Sequence, residues 1–263
     1  MDLGLKGRVA VVGASSQGLG RAVARELALE GALVMLCARG ATALERAREE
    51  IGWESGATVH AVAADLSNPG ASRGVVDAAI ERFGKVDILV TNTGGPPSGP
   101  FELHDQAAWQ AAYDLLLRGP LEMVGAALPG MRERRWGRII TVTSIAVKQP
   151  VDGLILSNSL RGAVTGFART LANETARDGI TVNNLLPGYT RTDRVVELAR
   201  ATASRAGVEE AEIYAKWERE IPMGRIGEGP EFAALAAFLA SERAGYITGQ
   251  SIAVDGGWIR SLL

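Results

Sequence analysis

Short runs rich in Val, Ile and Leu recur along the chain between longer stretches with a 3.6-residue apolar period, which predicts a parallel sheet covered by helices on both faces. The first run, Val9 to Val12, ends in a glycine turn. In the stretch from Leu19 to Glu30 that follows, Leu19, Ala22, Val23 and Leu27 share one side while Arg21, Arg25 and Glu30 point away. The same reading puts further strands at Leu33 to Cys37, Val59 to Ala63, Val86 to Val90, Arg138 to Val142, Thr181 to Leu185 and Ser251 to Val254. Helices fall at Ala41 to Ile51, Ser72 to Phe83, Leu156 to Arg177 and Pro230 to Leu239, with one long helical region, Gln106 to Met131, that contains Pro120. Strand, turn and helix in regular alternation predict a doubly wound α/β fold of about seven parallel strands, with any ligand across the crevice at their carboxyl ends.

No repeat, low-complexity tract or Pro/Ser linker divides the sequence, so residues 1–263 read as a single domain. Thr190 to Pro222 stands apart, because it is helical in composition yet inserted between a strand end and the final helix. Such an insertion is placed to cover a ligand crevice, and it is a candidate substrate lid.

Composition narrows the function classes. Lys+Arg 28 against Asp+Glu 30 leaves a net charge of -2, which gives no positive field to hold nucleic acid or an anionic membrane. A single cysteine, Cys37, forms no internal disulfide, and with two histidines it leaves no Cys/His zinc centre, so no metal is expected. No signal pattern opens the chain and no stretch of about 18 apolar residues is present, so a cytoplasmic protein is expected. The 32 glycines ask for tight turns or close backbone approach.

One such turn carries chemistry. Gly13-Ala14-Ser15-Ser16-Gln17-Gly18-Leu19-Gly20 joins the first strand to the first helix, where small residues let backbone N–H groups and the positive helix end meet a pyrophosphate. About 20 residues on, where an acid would bind a ribose 2′-hydroxyl, stands Cys37-Ala38-Arg39. An arginine without a neighbouring carboxylate favours a 2′-phosphate, and therefore NADP(H) over NAD(H).

With these residues in place, the chain resembles the short-chain dehydrogenase/reductase family over essentially its whole length, and is similar to its 3-oxoacyl-acyl-carrier-protein reductases. Asp65-Leu66 resembles the adenine-contacting pair and Thr91-Asn92-Thr93-Gly94 the N-N-A-G turn. Val182-Asn183, then Pro187-Gly188 with Thr190 and Thr192, resemble the segment that cradles the nicotinamide. Ile221 to Arg225, Phe238 to Ser241, Ile247 to Gln250 and Val254 to Gly257 follow the order of its carboxyl-terminal signature. The resemblance implies hydride transfer between nicotinamide and a carbonyl or alcohol carbon, a small-molecule substrate, and a homotetramer built through the helix carrying Leu160 to Leu171 and the carboxyl-terminal region.

The family's catalytic serine is matched by Ser144, but its Y-x-x-x-K reads here Ser157-Asn158-Ser159-Leu160-Arg161. Leu116 stands where the family has an asparagine, and the phosphate turn has Gly13 at the family's Thr and Ala14 at its first Gly. Ser157 is too weak an acid to deliver a proton, and Arg161 stays protonated near neutrality. Arg161 retains two capacities, gripping ribose hydroxyls through its fork and stabilising a developing alkoxide. Catalysis is therefore expected to rest on Ser144, Ser157 and Arg161. The alternative is a nucleotide-binding protein without redox turnover, a sensor, scaffold or partner subunit.

Tyr189 and Lys148 are other candidate proton donors, with packing and solvated roles as their ordinary alternatives. His60 in a strand, Cys37 in the sheet, and Trp109, Trp136 and Trp258 at element ends read as structural, and His104 before a helix start as a surface residue.

Overall fold

The computed structural model describes residues 2–262, and all pairings in its sheet are parallel. The strands are β1 Val9–Val12, β2 Leu33–Ala38, β3 Val59–Ala63, β4 Ile88–Thr91, β5 Gly137–Val142, β6 Ile180–Pro187 and β7 Ser251–Val254. Their order is β3-β2-β1-β4-β5-β6-β7, so the winding reverses between β1 and β4 and a crevice opens there at the carboxyl ends. The helices are α1 Gly18–Leu29, α2 Ala41–Ser55, α3 Ala71–Phe83, α4 Gln106–Tyr113, α5 Gly119–Glu133, α6 Ile155–Thr175, α7 Asp193–Ala206, α8 Glu210–Glu220 and α9 Gly229–Ala240.

Side chains alternate along each strand between two cores, which is why the central strands read as unbroken apolar runs. Val12, Leu36, Val90 and Ile140 face α1, α2 and α9 through Val23, Leu27, Leu44, Ile51 and Phe232. Val11, Cys37, Leu89 and Ile139 face α3, α5 and α6 through Val76, Met123 and Ala168.

The region expected as one long helix is broken. Between α4 and α5 the chain makes a wide turn over Asp114–Arg118, with the Gly119 N–H reaching back to the Asp114 carbonyl. Pro120 has no N–H to give and would crowd the carbonyl four residues back, so it is accommodated in the first turn of α5. Gly119 fits because a Cβ there would come within 2.9 Å of the Leu66 carbonyl oxygen.

The candidate lid folds as α7 and α8. Ala199, Ala203, Ile213 and Trp217 form a third cluster with Ile145, Leu186 and Trp258, so its apolar stripe is docked over the ends of β5 and β6. The tryptophans pack as expected: Trp136 lies between the Arg8 and Arg138 guanidinium groups, Trp109 against Phe101, and Trp258 against the Tyr189 ring. Among the described residues no helix is long and apolar enough to cross a membrane, and no group of three His, Cys, Asp or Glu is placed to hold a metal ion.

Candidate active site

The crevice is built first by the turn after β1. A Cβ on Gly13 would stand 2.3 Å from the Asn92 carbonyl oxygen, so glycine is required where β1 and β4 run side by side. Asn92 returns its amide to the Gly13 and Ala14 carbonyls at 3.1 and 3.4 Å. Gly18 has φ +58 and starts α1, whose N-cap residue, Gln17, gives no side-chain hydrogen bond. The first-turn N–H groups of α1 are thus left for a ligand, beside half-buried Ser16 and Leu19.

Ser15 acts differently from its sequence-based expectation as a ligand contact. It is fully buried, its hydroxyl donates to the Val12 carbonyl at 2.8 Å, and it accepts the Cys37 N–H at 2.9 Å. Its side chain ties the turn to the end of β2. Ala14, at the family's glycine position, has φ 46, a left-handed conformation that costs an alanine about 1–2 kcal/mol. Ala14→Gly is therefore expected to raise the melting temperature by about 1–3 °C. Calorimetry showing no rise would mean that Ala14 is unstrained.

Just past β2, Arg39 is exposed. The Asp65 carboxylate accepts from the Ser67 hydroxyl and N–H, and these bonds, with Arg39 nearby, hold its pKa below the usual range. Leu66 is buried against the Gly13 position. On the far wall, Gly188 follows Pro187 where a Cβ would strike Asp255 at 2.7 Å. The Thr190 and Thr192 hydroxyls donate to the Gly188 and Thr190 carbonyls, and Thr192 caps α7. The Thr192 methyl lies against Gly18, bringing this wall onto the phosphate turn.

At the end of β5, Ser144 accepts the Ala146 N–H and opens a short turn. Arg161 reaches the same place from α6. Its guanidinium donates to the Val142 carbonyl at 2.8 Å, the Gly94 carbonyl at 3.3 Å and the Ser157 hydroxyl at 3.2 Å. Burial, and secondarily the Arg194 charge, lower its pKa to about 10, so it remains a cation at neutral pH. Ser157 is buried, as is Leu116 in the wide turn, which brings no polar atom to the site.

Tyr189 stacks on Trp217 at 4.4 Å, and burial with the Glu220 charge raises its pKa to about 12, while Lys148 is exposed. His60 accepts from Arg82 and burial lowers its pKa; burial raises the Cys37 thiol to about 12. His104, expected at the surface, is half-buried, with its Nε2 against Gly99 and without a hydrogen-bond partner. Arg194 was not visible from sequence. It lies in α7 and donates to the Pro96 carbonyl at 2.7 Å, and only its position just after Thr192 hinted at the crevice.

This architecture and site define a dinucleotide-binding oxidoreductase fold, and the chain belongs to the short-chain dehydrogenase/reductase family. A family model described as enoyl-(acyl carrier protein) reductase matches residues 13–259. The chain is 33% identical over 257 residues to the 3-oxoacyl-acyl-carrier-protein reductase FabG of Vibrio cholerae, covering 97% of this chain and 98% of that protein. Among solved structures it is similar to the L-sorbose reductase of Gluconobacter frateurii complexed with NADPH and L-sorbose, with TM-score 0.94, 33% identity and full coverage of both chains. It is also similar to an actinorhodin polyketide ketoreductase variant with NADPH, with TM-score 0.93, 30% identity, and 97% and 98% of the two chains covered.

Proposed function

We propose that the chain is an NADP(H)-dependent reductase that interconverts a carbonyl and an alcohol on a small molecule, with 3-oxoacyl compounds among the candidate substrates. The observation that carries this reading is the charged Arg161 guanidinium, fixed by the Val142 and Gly94 carbonyls beside the strand end that leads to Ser144. When bound, NADP(H) supplies or accepts the hydride. The Gly13 to Leu19 turn and the α1 N-terminus would hold its pyrophosphate, Arg39 its 2′-phosphate, Asp65 and Leu66 its adenine end, and Asn92, Gly94, Pro187, Gly188, Thr190 and Thr192 its nicotinamide half.

In this reading Ser144 donates a hydrogen bond to the carbonyl oxygen and Arg161 stabilises the negative charge that develops there. Ser157, accepting from Arg161, orients the fork. A water molecule supplies the proton, because the Ser144 and Ser157 hydroxyls are too weakly acidic and Arg161 keeps its charge at neutral pH. The member is divergent in that Ser157, Arg161 and Leu116 occupy the Tyr, Lys and Asn positions. A homotetramer is supported by the small, exposed outer face of α6, with Gly162, Ala163 and Gly166.

Saturating NADPH is expected to raise the melting temperature by several degrees and NADH by less, since a ligand at about 100 times its Kd adds about 2.7 kcal/mol. Carbonyl compounds, including 3-oxoacyl thioesters, are then expected to oxidise NADPH. Binding without turnover over such a panel would leave a nucleotide-binding protein. No thermal shift at all would remove both readings.

A further inference from the structure

Two guanidinium groups converge on one short loop beside the proposed site, and they arrive from different elements. Arg161 of α6 donates to the Gly94 carbonyl at 3.3 Å, and Arg194 of α7 donates to the Pro96 carbonyl at 2.7 Å. Between these contacts Arg194 lies flat on Gly95, where a Cβ would meet its Nε at 2.7 Å and its Cζ at 2.9 Å. The loop is bracketed by two positive charges.

Neither charge is fully compensated. The acceptors of Arg161 are two carbonyls and a hydroxyl, all neutral, and the nearby Arg194 cation adds repulsion. Arg194, itself 41% exposed to water, has Glu197 at 3.6 Å, an i,i+3 pair whose carboxylate side chain is 66% exposed, so the pair is largely screened. For Arg161 alone, drawn from water without a counter-anion, holding the charge is costly, and a neutral amide would serve the same carbonyls. A ligand that brings a negative charge removes that cost. The cofactor pyrophosphate belongs at the other side of the crevice, where Thr192 meets Gly18 at the start of α1.

We propose that the substrate is a keto acid, with its carboxylate on Arg194 and its carbonyl oxygen on Arg161. This rests on the reductase reading and names its substrate class. It also assigns Arg194 a specificity role: by bridging to Pro96 it places a charge from α7 over the cleft, so that α7 contributes to substrate choice.

The test titrates the NADPH-bound protein with keto acids of increasing size, pyruvate, phenylpyruvate and α-ketoglutarate, each against its methyl ester, with NADPH fluorescence and thermal shift as readouts. At least one acid is expected to bind about tenfold tighter than its ester. Arg194→Gln is expected to remove that preference while ester and NADPH binding stay unchanged. The proposal is overturned if no acid in the series outbinds its ester, or if the preference survives Arg194→Gln. It is also overturned if Arg194→Gln weakens NADPH instead, because the anion is then the cofactor phosphate. Should NADPH fail to bind, the reductase reading falls by itself, and the acid-against-ester comparison on the nucleotide-free chain still decides the anion site.

Discussion

Arg161→Gln is expected to lower kcat by about 10²–10³-fold, because a donor aimed at developing negative charge contributes on that scale. Glutamine can still reach the Val142 or Gly94 carbonyl, so the strand ends remain joined while the charge is lost. The pH profile supplies a second, independent readout. The active form is the protonated guanidinium, whose pKa is lowered to about 10, so the charge is present below that value and disappears above it. Turnover is expected to be level from about pH 6 to pH 9 and to fall as pH passes about 10. Arg161→Lys is expected to retain part of the rate and to bring the fall to lower pH, because a buried ammonium gives up its proton more readily and lacks the planar fork. If Arg161→Gln turns over within about threefold of the parent, the polarising role of Arg161 is wrong. A bell centred near neutrality would instead point to a titrating side chain.

The sheet was legible in the sequence because strands buried on both faces leave an uninterrupted apolar trace, as Val9 to Val12 and Ile139 to Val142 do. The glycine turn after β1 was legible too, since its glycines answer to backbone geometry within a few residues. What escaped depends on partners far away in the chain. Ser15 looked like a ligand contact because it stands in the glycine turn, yet its hydroxyl is taken by the N–H of Cys37, which the pairing of β1 with β2 brings alongside. The periodicity of α4 and α5 ran through Pro120 without marking the wide turn, because the turn also depends on Leu66 lying against Gly119. The stacking of Tyr189 on Trp217, from α8, is another such distant partner. Arg194 gave no signal beyond its place just after Thr192, because a cation in the first turn of a helix reads as ordinary surface until the loop at Gly95 is placed beneath it.

Gly20→Ala is expected to cost about 1–3 kcal/mol and to lower the melting temperature by about 3–10 °C. The added Cβ would stand 2.3 Å from the Ala14 carbonyl oxygen and 2.7 Å from the Asn92 side-chain amide, and neither is the free end of a flexible chain. Asn92 is already committed to the Gly13 and Ala14 carbonyls, so the turn must open for α1 to move away. The same displacement spoils the cradle for phosphate, and NADPH is expected to bind at least about tenfold more weakly, in step with the lost stability. Gly74→Ala supplies the internal control. Gly74 lies inside α3, is exposed, and has nothing within 4 Å of the position a Cβ would take, so the same exchange is expected to stabilise by about 0.5–1 kcal/mol through helix propensity and chain entropy. One substitution, with opposite signs at two positions, separates close backbone approach from the general cost of glycine. If calorimetry gave both variants the same sign, the crowding of Gly20 against the turn would not be what fixes the start of α1.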